Sequence, residues 1–160
     1  MNVVLFEPEI PQNTGNIARS CGAVGARLHL IEPLGFSVSD RRLKRAGLDY
    51  WHLVDIIHYN GFQAFLSHAR HGNLVFITKT ASRTYDTADF SGDVYLIFGK
   101  ETAGLPPDVL RAHRERCVRI PMRAGARSLN LSNAVAIVLF EACRQNDFGR
   151  LKLDGSGEFS

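Results

Sequence analysis

The sequence predicts an α/β fold, with a mostly parallel sheet and helices on both faces. Three observations carry this. Short apolar, β-branched runs alternate with longer segments of helical periodicity along nearly the whole chain. The run Val94–Phe98 is apolar throughout, as a strand covered on both faces must be. Three glycine-bearing loops follow three of the predicted strands, where open α/β sheets hold their ligands.

The elements follow in order. Asn2 to Phe6 is a β-branched run closed by Glu7-Pro8, which reads as a buried strand. Thr14 is placed to cap a helix from Gly15 to about Val24, with Gly25 as its stop. Arg27 to Ile31 is a second strand. Asp40 opens a short, strongly basic helix through Arg45. Leu53 to Ile57 is strand-like, and Gly61 to His71 is a helix ended by Gly72. Leu74 to Thr78 is the next strand. Ser82 to Gly92 is polar and turn-rich, and Val94 to Phe98 is the central-strand candidate. Pro106 can open a helix running to about His113. Cys117 to Ile120 is the last strand, and Asn130 to Asn146 the last helix. Residues 1–153 read as one domain, and the tail from Asp154 is expected to fray. There is no internal repeat.

On the last helix, Leu131, Ala134, Val135, Val138, Leu139 and Ala142 form one apolar stripe at helical spacing. Ile137 and Phe140 make the neighbouring face apolar as well. A helix apolar most of the way round needs cover on more than one side, and a partner subunit is the expected source of it.

Composition narrows the class. The chain has 160 residues, 45% hydrophobic and 22% charged, which suits one globular domain with its own core. No apolar stretch is long enough to span a membrane. The N-terminus lacks a basic leader and a small-residue cleavage site, so no signal peptide is expected. Three widely spaced cysteines (Cys21, Cys117, Cys143) argue against a disulfide framework and for a reducing, cytoplasmic setting. The six histidines show no metal-ligand spacing with the cysteines, so no metal is expected. A net charge of +3 does not by itself imply a nucleic-acid partner.

The chemistry concentrates in three loops. The first is Pro11-Gln-Asn-Thr-Gly-Asn-Ile-Ala-Arg19. The second is Phe98-Gly-Lys-Glu-Thr-Ala-Gly-Leu-Pro106. The third is Ile120-Pro-Met-Arg-Ala-Gly-Ala-Arg-Ser-Leu-Asn-Leu-Ser-Asn133. Gly99-Lys100 resembles the end of a phosphate-binding P-loop, but that motif needs Ser or Thr where Glu101 stands and Gly where Val94 stands. No Gly-x-Gly-x-x-Gly follows the first strand, so the dinucleotide fingerprint is absent too. A carboxylate at Glu101 would repel a phosphate and favours a hydrogen-donating or cationic group. Singly, Gly15 and Gly104 read as turn residues, Ser128, Ser132 and Asn133 as helix caps, Glu101 as a solvated charge and Arg19 as a surface arginine.

Jointly they say more. Asn13, Gly15, Asn16, Ile17 and Arg19, then Phe98-Gly99-x-Glu101-x-x-Gly104-Leu105-Pro106, then Ile120-Pro121-Met122 with Ser128 to Ala134, resemble the three motifs of the SPOUT methyltransferases. Within that superfamily the small, single-domain TrmL type is most similar. The resemblance runs from Phe6 to about Gln145. It implies a deep trefoil knot, S-adenosylmethionine as cofactor, a homodimer with its site at the subunit interface, and 2′-O-methylation of the wobble nucleotide (position 34) in tRNA anticodon loops. Carried over by position, the cofactor pocket would use Ile77, Thr78, Gly99, Glu101, Gly104, Ile120, Met122, Ser128 and Leu129. Arg19, Ser128 and Asn130 would be catalytic, and Asn13, Gly15 and Asn16 would support the first loop. Methyl transfer from a sulfonium needs no metal. Another tRNA position or ribosomal RNA is the alternative substrate, and a non-catalytic RNA-binding protein the alternative class. Ala103 stands where the family frequently has arginine, which bears on substrate preference.

For RNA contact the sequence offers Arg41, Arg42, Lys44 and Arg45, with Tyr50 and Trp51 as stacking candidates. A second basic set comprises Arg111, His113, Arg114, Arg116, Arg119, Arg123 and Arg127, expected near the site.

Overall fold

All six strands of the sheet run in the same direction, in the order β3-β2-β1-β5-β4-β6. They are β1 (Asn2–Phe6), β2 (Arg27–Ile31), β3 (Ile56–Tyr59), β4 (Asn73–Ile77), β5 (Val94–Phe98) and β6 (Cys117–Val118). The helices are α1 (Pro11–Val24), α2 (Phe62–His68), α3 (Pro107–Ala112) and α4 (Leu131–Gln145). The structure is a computed structural model that describes residues 1–37, 53–149 and 151–154. The basic segment carrying Arg41, Arg42, Lys44, Arg45, Tyr50 and Trp51 lies outside the described residues.

Strand alternation divides the core in two. Val3 and Leu5 of β1, with Val94, Leu96 and Phe98 of β5, pack against Ile17, Ala18 and Cys21 of α1 and Val135, Val138, Leu139 and Ala142 of α4. Val4 and Phe6, with Tyr95 and Ile97, face the other way onto Phe65 of α2, Ala69 and Leu105. Burying each large side chain fully contributes roughly 1.5–3 kcal/mol. The central strands therefore hold both helical layers, and they read as unbroken apolar runs for that reason. The expected stripe on α4 is the buried one, while Ile137 and Phe140 stay exposed.

Several boundaries differ from the sequence reading. α1 begins at Pro11, one turn before Gly15. Proline's fixed φ and missing N–H suit a first helical turn, so Thr14 caps nothing. It is buried inside the helix, and its hydroxyl has no hydrogen-bond partner. Gly15 is likewise a buried helical residue rather than a turn. β3 starts at Ile56; Val54 reaches the core from the approach to the strand, while Leu53 is exposed. α2 stops at His68, short of His71. β6 pairs with β4 only through Cys117 and Val118. After a bridge from Arg119 to Thr84 the chain leaves the sheet, ahead of Pro121, which has no N–H to donate.

One polar group sits within the second core. His29 on β2 is fully buried, stacked on Tyr59 and edge-on to Phe65 and Tyr95. Asn2 donates its amide hydrogens to Asp93 Oδ1 (2.8 Å) and to the Val94 carbonyl (3.0 Å), so its oxygen faces His29 Nε2 at 3.1 Å. That oxygen only accepts, so Nε2 carries the proton. Nδ1 then accepts from the Tyr59 hydroxyl at 2.9 Å. The ring is satisfied in its neutral form, and burial pushes its pKa down to about 4.

The unfolded chain takes up this proton near the ordinary value of about 6.5, whereas the folded chain resists it. The contribution of neutral His29 is thus complete above pH 6.5 and is lost as pH falls toward 4, by at most about 3 kcal/mol. Urea midpoints are expected to fall between pH 6.5 and 5, while the His29 ring signals in an NMR titration stay flat over that range. A ring that titrates near 6.5 would refute the arrangement.

Candidate active site

A cavity of about 540 Å³ opens beyond the carboxyl ends of β4, β5 and β6, within the range typical of small-molecule sites. Its walls come from five places. Ile77 and Thr78 end β4, and the loop from Gly99 to Leu105 follows β5. Ile120 and Met122 follow β6, and Ser128 to Leu131 lead into α4. The start of α1 adds Ile10 and Asn13.

The loop after β5 is folded tightly on itself. Gly104 N–H donates to the Lys100 carbonyl at 2.8 Å, and Gly104 has a φ of +71°, which glycine adopts without strain. Gly99 lies beneath this turn. A Cβ there would stand 2.1 Å from the Gly104 carbonyl carbon and 2.2 Å from Leu105 N. No side chain fits without rebuilding the loop.

The loop is tied to α1 by carboxylates. α1 has no side-chain cap of its own from Ile10. Glu101 supplies one from 91 residues away: Oε1 accepts from Ile10 N–H (3.3 Å) and from Asn13 Nδ2 (2.9 Å), and Oε2 from Glu9 N–H (2.8 Å). A carboxylate at a helix N-terminus also opposes the positive end of the helix dipole. Glu9 returns the favour, its carboxylate accepting from Thr102 N–H at 3.0 Å and from the Thr102 hydroxyl at 2.8 Å. These bonds hold the Glu9 carboxyl below its usual range. Lys100 pairs with Glu7 at 2.7 Å. Glu101 is therefore no solvated charge: its carboxylate accepts three hydrogen bonds from within the protein.

Asn13 carries the connection to the third loop. Its Oδ1 accepts from Asn130 Nδ2 at 2.9 Å. Asn130 in turn caps α4, its Oδ1 accepting from Ser132 N–H (2.9 Å) and from the Ser132 hydroxyl (2.7 Å). The cap is thus Asn130, not Ser128, Ser132 or Asn133. Three sequence-distant motifs meet in one chain of hydrogen bonds, Glu101–Asn13–Asn130–Ser132. The sequence reading missed the partners of Glu101 because nothing local to it signals a bond to residues near position 10.

Every residue expected to hold the cofactor lines this cavity: Ile77, Thr78, Gly99, Glu101, Gly104, Ile120, Met122, Ser128 and Leu129. Asn130 does too. Arg19 and Asn16 do not; both are exposed on α1. Arg123 and Arg127 are exposed on the third loop, close in sequence to its lining residues. Arg111, Arg114 and Arg116 are exposed on α3 and the turn before β6 and take no part in the wall. His113 is stacked on Phe76 at 4.5 Å. No group of three or more His, Cys, Asp or Glu able to hold a metal occurs among the described residues, and none of their helices is long and apolar enough to cross a membrane.

Comparison with known proteins supplies independent findings. Residues 1–140 match the SpoU rRNA Methylase family. The tRNA (cytidine(34)-2′-O)-methyltransferase of Burkholderia ambifaria is 50% identical over 151 residues, covering 92% of this chain and 96% of that protein. A structure solved in a study of 2-OH methylation of C/U34 on tRNA superposes with a TM-score of 0.87 at 44% identity, over 92% of this chain and 96% of that one. The SpoU methyltransferase AviRb from Streptomyces viridochromogenes, in complex with the cofactor AdoMet, superposes with a TM-score of 0.80 at 29% identity, over 94% of this chain and 59% of that one.

Two substitutions test the geometry. Glu101→Ala strands the buried Asn13 amide and removes the acceptor of the Glu9 and Ile10 N–H groups, and is expected to cost about 1–3 kcal/mol in urea unfolding. Gly99→Ala is expected to lower the melting temperature and to speed hydrogen exchange at Gly104, whose N–H closes the turn that must open. An unchanged Gly104 exchange rate would contradict the contact described.

Proposed function

The chain belongs to the SpoU rRNA methylase family, and from that premise we propose that it methylates the ribose 2′-hydroxyl at the wobble nucleotide of tRNA anticodon loops, using S-adenosylmethionine. The observation that carries the reading is the cavity, which collects all the expected cofactor residues from the end of β4 and from the second and third motifs. The fit to the cofactor rests on the wall itself. Ile77, Ile120 and Leu129 offer apolar surface for the faces of an adenine ring. Backbone groups of the tight Gly99–Gly104 loop offer hydrogen bonds to its edge, and Gly99 lets that loop close on itself because a Cβ there would meet the Gly104 and Leu105 backbone. When bound, the cofactor supplies an activated methyl group on a sulfonium.

The residues of this chain then have to orient a ribose hydroxyl and ease the loss of its proton. Orientation alone is worth about 7–11 kcal/mol of barrier in favourable cases. Ser128 lines the cavity with no hydrogen bond to the described residues, so its hydroxyl is available to the ribose. Asn130 is already bonded to Asn13 and Ser132, so it positions Ser128 and the loop more than it contacts substrate. A guanidinium holds its proton too tightly to serve as a base. We assign Arg19 the stabilisation of the forming alkoxide.

Arg19 lies outside the cavity of its own chain, so it acts from a second copy. The homodimer reading is supported by α4, where Ile137 and Phe140 are exposed beside the buried stripe. α1, which carries Arg19, packs directly against α4. A partner seated on α4 therefore meets α1 as well. The trefoil knot, one catalytic domain over residues 1–153 and a cytoplasmic location complete the proposal, with Arg41, Arg42, Lys44 and Arg45 together with Arg123 and Arg127 as the tRNA-contacting set. The family's rRNA description keeps ribosomal RNA as the second reading.

Tritiated-methyl transfer to bulk tRNA and to ribosomal RNA, followed by nucleotide mapping, decides the substrate; label at any nucleotide other than position 34 overturns the wobble assignment. Arg19→Ala is expected to lose about 100-fold or more in transfer while binding cofactor normally in calorimetry. Phe140→Glu with Ile137→Glu is expected to sediment as a monomer and to lose transfer together with the dimer. tRNA affinity is expected to fall steeply with salt, through release of counterions from neutralised phosphates.

A further inference from the structure

Three charged side chains border the cavity: Lys79, Lys100 and Glu101. Two of them are consumed by the protein. Lys100 is paired with Glu7 at 2.7 Å, and the Glu101 carboxylate accepts from Glu9, Ile10 and Asn13. Lys79 has no such use. Among the described residues no carboxylate lies within ion-pairing distance of it.

Its place in the chain is nonetheless well defined. Thr78 N–H donates to the Val118 carbonyl at 2.9 Å, extending the β4–β6 pairing to the residue before Lys79. The Thr78 and Thr80 hydroxyls are 3.1 Å apart, and Thr80 N–H reaches Thr78 Oγ1 at 3.4 Å. Lys79 thus stands at the apex of a short turn pinned on both sides, on the rim of a site whose other charges are neutralised or negative. An anionic group entering beside Glu101 would meet repulsion unless a cation offset it.

We propose that Lys79 holds an anionic oxygen group of the reacting pair. On the functional reading above, on which this rests, that group is either the carboxylate of the cofactor's amino-acid arm or the RNA phosphate flanking the target ribose. A lysine serves both, as a compact point charge on a flexible stem. Lys79 is a positioning residue: it fixes a charge away from the reacting atoms.

The test uses the full chain with Lys79→Gln and Lys79→Arg. Calorimetry compares S-adenosylhomocysteine with 5′-methylthioadenosine, which lacks the amino-acid arm, and filter binding follows tRNA across a salt series. If the carboxylate is the partner, Lys79→Gln weakens S-adenosylhomocysteine about tenfold or more and leaves methylthioadenosine unchanged. If the phosphate is the partner, both small molecules bind as before, tRNA binding weakens, and the slope of log affinity against log salt shrinks by about one. Lys79→Arg restores the affected arm in part. Unchanged binding in both arms overturns the proposal, as does an equal loss for methylthioadenosine, which would mark general damage to the pocket. Wild-type protein that bound neither cofactor nor RNA would overturn the functional reading, and this proposal with it.

Discussion

The carboxylate of Glu101 holds the site together. Its two oxygens take the N–H groups of Glu9 and Ile10 and the amide of Asn13, so one side chain both starts α1 and fixes the loop after β5. Asn13 passes the constraint to Asn130, and Asn130 starts α4. Two helices and a glycine loop are placed relative to one another by a few bonds, and those of the buried Asn13 amide are the costly ones to leave unmade. The cavity is the space those placements leave between them. Glu7–Lys100 and Glu9–Thr102 add a second line of attachment between the same two segments, which is why the loop can be rich in glycine and still have one shape.

The apolar architecture was readable from the sequence because each signal is local. β1, β2 and β5 were expected within their observed bounds, since unbroken apolar runs between turn residues have few other interpretations. The stripe on α4 was equally plain from its spacing. The boundaries that moved were those decided by distant partners. Thr14 resembles a cap, but the cap of α1 is a side chain far along the chain, and nothing near Thr14 announces it. β6 was expected to reach Ile120, but among the described residues it pairs with the end of β4 alone, and the two share two residues of pairing.

The candidate site was legible in a different way. No single residue in it rises above an ordinary turn, cap or surface charge. The agreement of three spaced motifs carried the cofactor set, and the structure gathers that set in one cavity. Composition and periodicity said nothing about how Glu101 and Asn130 spend their hydrogen bonds. Glu101 and Asn130 both line the pocket and hold its walls together through Asn13.

The sheet order has a consequence for the chain during its synthesis. β1 is made first, yet it lies in the middle of the sheet between β2 and β5. Its partner β5 is more than 90 residues downstream, and so is the carboxylate that closes the start of α1. Until Val94–Phe98 and Glu101 have left the ribosome, a largely apolar strand has one open edge and α1 has unanswered amides. Such edges pair readily with other chains, and contacts of this separation form slowly. The N-terminal third of the protein therefore waits, unfinished and in need of protection from neighbouring nascent chains, for the C-terminal half to be translated.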